Sequence, residues 1–332
     1  MRCKLESRSD KKQGQEERRR VLGIIAVLVL LSLGPVIVST YYIHLAVLVF
    51  IYIMATSSLR IVYISGQISL GHAAFMTIGA YTSAMLAKHL GWSPWCAMPA
   101  GAIAAMVGGI LIGFPFSRLR VIYFSMASLF FGMMVMSMVG LAPNLTGSWT
   151  GLARIPRLFG ASKVPYYYTY FLLTLITLLV LYRIEHSRLG MTLKSVSQSH
   201  LAASSRGINE AGIRILALSI GAFFAGLSGG AYAHYETLIS PATFGVMPSI
   251  LLLVYLLAGG KGSFAGPIVG TAILYLVPYI MGEFKGYAPY FQAAVIVAVI
   301  FLIPEGMVSL FGQTASRMRE LRDRWRTARY AS

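Results

Sequence analysis

Charge is scarce in this chain: Asp, Glu, Lys and Arg make up only 12% of its 332 residues, about half the share of an ordinary soluble domain. Apolar residues fill the space, at 57%, and the mean hydropathy is +0.70. That balance excludes a disordered chain and a soluble globule. Cysteine is scarcer still. Cys3 and Cys96 lie far apart in sequence, one of them in a charged tail, so neither a disulfide framework nor a cysteine metal site can be built. Acids are few as well, 11 against 28 basic residues, for a net charge of +17. In a soluble protein that excess would suggest nucleic acid. Here the basic residues fall between long apolar runs, which selects a membrane.

Reactive groups are also missing. Outside the tails the acids are Glu185, Glu210, Glu236, Glu283 and Glu305, each at or near the end of an apolar run. A proton-coupled carrier wants a carboxylate or histidine buried mid-span. The nearest candidates, His44 and His72, read as packed histidines. No H-E-x-x-H pattern occurs, and no metal site is expected. Gly259-Gly260-Lys261-Gly262-Ser263 imitates a phosphate-binding P-loop, but Lys261 is followed by Gly262 and the position five before Gly260 is Tyr255. The pattern fails. The chain reads as a non-enzyme without a nucleotide-hydrolysing site, so uphill transport would need energy from another subunit.

What is present is a series of runs near the ~20 residues that cross a bilayer as a helix. Ten stand out: 21–40, 41–59, 66–87, 94–116, 121–142, 165–183, 212–233, 246–259, 266–282 and 288–310. With ten spans and both termini cytoplasmic, 23 of the 28 Lys and Arg lie inside, as the positive-inside rule requires. The expectation is an all-α polytopic membrane protein. Basic tails over 1–20 and 311–332 flank a single transmembrane domain over 21–310. The first run continues to Thr40 with no cleavage pattern and reads as an uncleaved helix. Only two connections exceed hairpin size, 143–164 outside and 184–211 inside, and long connections in compact proteins tend to be functional.

Two glycine clusters resemble one another. Gly66-Gln67-Ile68-Ser69-Leu70-Gly71-His72 opens the third run, and Gly259-Gly260-Lys261-Gly262-Ser263-Phe264-Ala265-Gly266 opens the ninth. Paired interruptions in the two halves of a transporter mark its pathway. Segments 64–72 and 256–267 are therefore candidate broken or re-entrant stretches, with Gly66, Gln67, Ser69, Gly71, His72, Gly260, Gly262, Ser263 and Gly266 as pathway residues. Gly109/Gly113, Gly226/Gly230 and Gly266/Gly270 are G-x-x-x-G pairs suited to close helix packing. In the inner connection, Leu193, Val196 and Leu201 with Lys194 among polar neighbours fit a short amphipathic helix on the membrane surface, stopped by Gly207.

These residues also carry a family resemblance. Leu201-Ala202-Ala203, three residues and Gly207 resemble the E-A-A-x-x-x-G loop of ABC importer permeases, with Leu in place of Glu. Gly66 through Phe75 with Ile78-Gly79-Ala80-Tyr81 is similar to the signature of branched-chain amino acid permeases. Tyr123 to Leu129, Tyr232-Ala233-His234-Tyr235, Ile239-Ser240-Pro241 and Gly259 to Gly270 resemble the LivM-type subunit of that family. The outer loop departs from the pattern. It offers Thr146, Gly147, Trp149 and Gly151, with Trp149-Thr150 where a Gly and an Asn or Asp are usual, and Glu305 is likewise atypical. The resemblance implies an importer in the bacterial inner membrane, with a LivH-type second permease, two cytoplasmic ATPases that bind ATP and Mg, and a periplasmic solute-binding protein. It implies that Lys194, Leu201, Ala202, Ala203, Gly207 and Ile208 contact the ATPase. The solute would be a branched-chain or related amino acid, an amide or urea. A ribose-type sugar permease is the alternative, ahead of a lipid enzyme or a channel.

Overall fold

The computed structural model describes residues 39–160, 162–198, 207–280, 288–302 and Met307. Residues 21–38 of the first expected span, Leu201 to Ala203, Glu283, Glu305 and both basic tails lie outside them. The described chain is helical: α1 (Thr40–Ile64), α2 (Ala73–His89), α3 (Pro94–Phe116), α4 (Val121–Gly140), the short α5 (Pro143–Thr146), α6 (Val164–Glu185), α7 (Arg188–Gln198), α8 (Glu210–Glu236), α9 (Val246–Gly260), α10 (Gly266–Ile280) and α11 (Ala288–Leu302). Two-residue strands β1 (Leu152–Ala153) and β2 (Leu238–Ile239) pair antiparallel, Leu152 opposite Ile239.

Among the described residues, six stretches are long and apolar enough to cross a bilayer: α1, α3, α4, α6, α8 and Pro241–Gly260. The last is longer than the sequence suggests, because a 3-10 turn over Pro241–Phe244 leads directly into α9. The other expected spans within the described residues, α2, α10 and α11, have 17, 15 and 15 residues. Most of the third run is α2, but its first seven residues are not helical.

α1 is buried along nearly all its length, enclosed by α6, α8, α9 and α10, while α2, α3 and α8 pack on one another. Close approach rests on glycine. A Cβ on Gly109 of α3 would lie 2.7 Å from the Ala222 Cβ of α8, and one on Gly79 of α2 would run into the backbone of Gly226. Without a hydrophobic drive between helices in lipid, such backbone proximity is what holds a bundle. α4 is peripheral and turns Ile122, Met126, Phe130 and Met133 outward.

The connections sort to two ends. At one, β1 pairs β2, Lys88 Nζ donates to the Ala153 carbonyl at 2.9 Å, and His44 meets Tyr235. At the other, Arg60, Glu185, Lys194 and Lys261 converge, and Arg214 Nη1 donates to the Ser117 carbonyl at 3.1 Å. We name these ends outer and inner after the basic-residue bias.

Candidate functional site

The chain leaves α1 at Ser65 and regains a helix only at Ala73. Gly66 makes the exit with φ +85°, a conformation costly for a residue with a side chain. Segment 65–72 is largely buried yet irregular, so its backbone groups need partners off the helical ladder. Serines supply them. The Leu70 N–H donates to Ser128 Oγ (3.0 Å), Ser125 Oγ donates to the Ile68 carbonyl (2.7 Å), and the Ala73 N–H donates to Ser249 Oγ (3.1 Å). α4 and α9 thereby hold the break in place. At Gly71 any Cβ would overlap the Ser128 carbonyl, so the approach to α4 demands glycine.

Gln67, Ser69 and His72 are 2%, 1% and 0% exposed. His72 Nε2 shares a hydrogen bond of 2.9 Å with Ser58 Oγ. Among the described residues, both amide atoms of Gln67, Ser69 Oγ, His72 Nδ1 and Ser57 Oγ have no hydrogen-bond partner. An unpaired buried polar group costs on the order of 1–3 kcal/mol, and several on one short stretch call for a use. Together they form an uncharged set of donors and acceptors. It can pair with water or a polar solute, but it lacks the carboxylate that acid–base catalysis would employ.

The second glycine cluster is built differently. Residues 256–260 remain helical, and 261–265 form a largely exposed turn into α10. It is therefore no re-entrant break: the glycines serve a tight antiparallel crossing instead. A Cβ on Gly266 would overlap the Gly260 carbonyl, and one on Gly270 would come within 2.9 Å of Gly259. Gly260 has φ +123°, whereas a Cβ on Gly262 would meet nothing within 4 Å. Ser263 Oγ accepts from the Ala265 N–H at 3.2 Å.

The inner connection begins as the expected amphipathic helix. α7 buries Leu193 and Val196 and turns Lys194 outward. Its start is pressed under α6, for a Cβ on Gly190 would overlap the Glu185 carbonyl. Its far end lies beneath the break, with Ser197 Cα 3.1 Å from where a Cβ on Gly66 would stand. Gly207 has φ +73° with open space around it. Half-buried Ile208 precedes Asn209, whose Oδ1 caps α8 by accepting from the Gly212 N–H.

Arg60 is the residue that sequence reasoning misplaced. It falls just past the end of the expected run 41–59, yet it lies inside α1 and is 2% exposed. Its Nε and Nη2 donate to Glu185 Oε2 and Oε1 at 2.8 and 2.9 Å, and Nη1 donates to the Lys261 carbonyl at 2.9 Å. Lys194 Nζ stands 3.2 Å from Glu185 Oε1. The available signal was Leu59-Arg60-Ile61-Val62, an arginine with apolar neighbours on both sides and no Gly or Pro before Gly66.

At the outer end the loop residues build structure. Thr146 Oγ1 donates to the Val139 carbonyl at 2.6 Å, Gly147 ends α5, and Gly151 lies against the Ile239 carbonyl. The half-exposed Trp149 ring lies over Gly140, 2.6 Å from where a Cβ would be. His234 ties this loop down, Nδ1 to the Pro156 carbonyl (2.7 Å) and Nε2 to Ser83 Oγ (2.8 Å). Beside it a cavity of about 190 Å³ is lined by His44, Arg157, Gly160, Lys163, Tyr166, Tyr235 and Glu236. Among the described residues no three His, Cys, Asp or Glu side chains gather as for a metal ion.

A bundle of apolar helices around a polar broken segment defines a polytopic membrane protein of the transport class. The chain belongs to the family described as branched-chain amino acid transport system / permease component, whose model matches residues 41–304. It is 28% identical over 321 residues to the high-affinity branched-chain amino acid transport permease LivM of Escherichia coli, covering 88% of this chain and 76% of that one. The LivM of Salmonella typhimurium is 27% identical over the same shares. The guanosine ABC transporter permease NupQ of Bacillus subtilis is 24% identical over 192 residues, 51% of this chain and 59% of its own. No solved structure matches.

Proposed function

We propose that this chain forms part of the translocation pathway of an ATP-driven importer in the bacterial inner membrane, and that its solute is a branched-chain or related amino acid. Amides and urea fall in the same range. The LivM alignment over most of both chains carries the solute class. The unpaired polar set at Ser57, Gln67, Ser69 and His72 supports placing the pathway beside the broken segment. ATP and Mg belong to two partner ATPases, met by Lys194, Leu201, Ala202, Ala203, Gly207 and Ile208. A LivH-type permease completes the pore, and a periplasmic receptor delivers solute to the outer end, where Thr146, Gly147, Trp149 and Gly151 lie. Ten spans traverse the membrane with both basic tails inside.

Uptake by the complex reconstituted with its ATPases and receptor tests the solute class, using labelled leucine, isoleucine, valine, urea, guanosine and ribose. ATP-dependent accumulation of the aliphatic amino acids is expected. Guanosine uptake alone would instead favour the reading offered by the NupQ likeness. Orientation has its own check. Cysteines placed singly at Trp149 and Gln198 should label from outside and from inside respectively, and labelling of both from one side would refute the span order.

A further inference from the structure

Three parts that sequence reading treats separately meet at one carboxylate. Glu185 closes α6, and the surface helix α7 starts three residues later. Glu185 is held by Arg60 through two hydrogen bonds of 2.8 and 2.9 Å, and by Lys194 of α7 at 3.2 Å. Arg60 stands six residues before Gly66, on the same helix that leads into the polar break. Its third contact, Nη1 to the Lys261 carbonyl at 2.9 Å, reaches the turn between α9 and α10. One guanidinium thus connects the surface helix, the buried break and the second glycine turn.

The cost of this arrangement argues for a use. Ionisable residues inside a membrane bundle are expensive and mark function by default, and a buried ion pair is often no more stabilising than well-packed apolar residues of the same volume. The fork of arginine fits the task. Its planar donors bind a carboxylate in two places and still reach a carbonyl, which a lysine ammonium cannot do with fixed geometry. Both side chains are buried, 2% exposed for Arg60 and 4% for Glu185, while Lys194 remains half-exposed on the side a cytoplasmic partner would meet.

We infer that Arg60 and Glu185 form a strut that transmits displacement of α7 to the broken segment 65–72 and to the 261–265 turn. They are positioning residues: they touch no solute, but they make movement of the surface helix move the pathway. Lys194 fastens the strut to α7. The inference rests on the importer reading given above.

The test uses the complete complex in proteoliposomes and reads ATP hydrolysis and solute uptake together. In Arg60→Met/Glu185→Leu, which replaces the ion pair by apolar side chains, hydrolysis should stay within about twofold of wild type while solute moved per ATP falls at least tenfold. A merely structural pair would lower both together, or neither. Arg60→Lys, which keeps the charge and loses the fork, should show the same split in weaker form. If the double variant does not assemble, Arg60→Lys decides, because it keeps a charge beside Glu185 and loses only the two-point contact. A roughly threefold loss of uptake per ATP supports the strut. Unchanged coupling in either the double variant or Arg60→Lys overturns it. Failure of the wild-type complex to couple uptake to ATP would count against the importer reading instead.

Discussion

Gly71→Ala should abolish uptake and lower the stability of the permease by about 3 kcal/mol, the upper part of the range for overpacking a tight contact. The added methyl would overlap the Ser128 carbonyl, which is backbone and cannot swing aside. The break and α4 must then separate, and the two hydrogen bonds that fasten them, Leu70 N–H to Ser128 Oγ and Ser125 Oγ to the Ile68 carbonyl, are lost or stretched. Each such bond contributes about 1 kcal/mol net, and more when a buried group is left unpaired. Thermal unfolding of the purified permease in detergent gives the stability, and uptake in proteoliposomes gives the function. Gly262→Ala is the control, since a Cβ there meets nothing within 4 Å. Equal melting temperatures for the two variants would mean that the break does not need its seat on α4.

The second large effect is on stability at Arg60. Arg60→Met alone leaves the Glu185 carboxylate buried with only Lys194 beside it and deprives the Lys261 carbonyl of its donor. Breaking one side of a buried pair typically costs about 3–5 kcal/mol, and the remaining lysine puts this case at the lower end. Adding Glu185→Leu removes the orphaned charge, so the double variant should regain most of the loss. The recovery is the diagnostic part. If the double variant melts as early as the single one, the pair contributes through packing shape and not through compensated charge.

These expectations separate two kinds of information. Local pattern marked the helices well: the run 94–116 is helix α3 to the residue, and 165–183 lies within α6. It also marked the amphipathic surface helix, because burial of Leu193 and Val196 on one face follows from helical periodicity alone. The first glycine cluster was legible as a break, since glycine and small polar residues interrupt an otherwise apolar run. The second cluster looked alike and behaves differently. Whether such a stretch enters the bundle or turns at its surface depends on what packs beside it, here the serines of α4 and α9 against the first and the Gly259–Gly266–Gly270 crossing at the second.

By itself, then, the sequence determined the membrane class, the described helix runs and the polar break, because apolar length and glycine position act locally along the chain. Tertiary structure alone decided the partner of Arg60, which is 125 positions away in sequence at Glu185, and the reach of the same guanidinium to Lys261. It also decided that Trp149 lies over Gly140. Periodicity says which face of a helix is apolar, but a charge inside an apolar run is explained only by the opposite charge that packing brings to it.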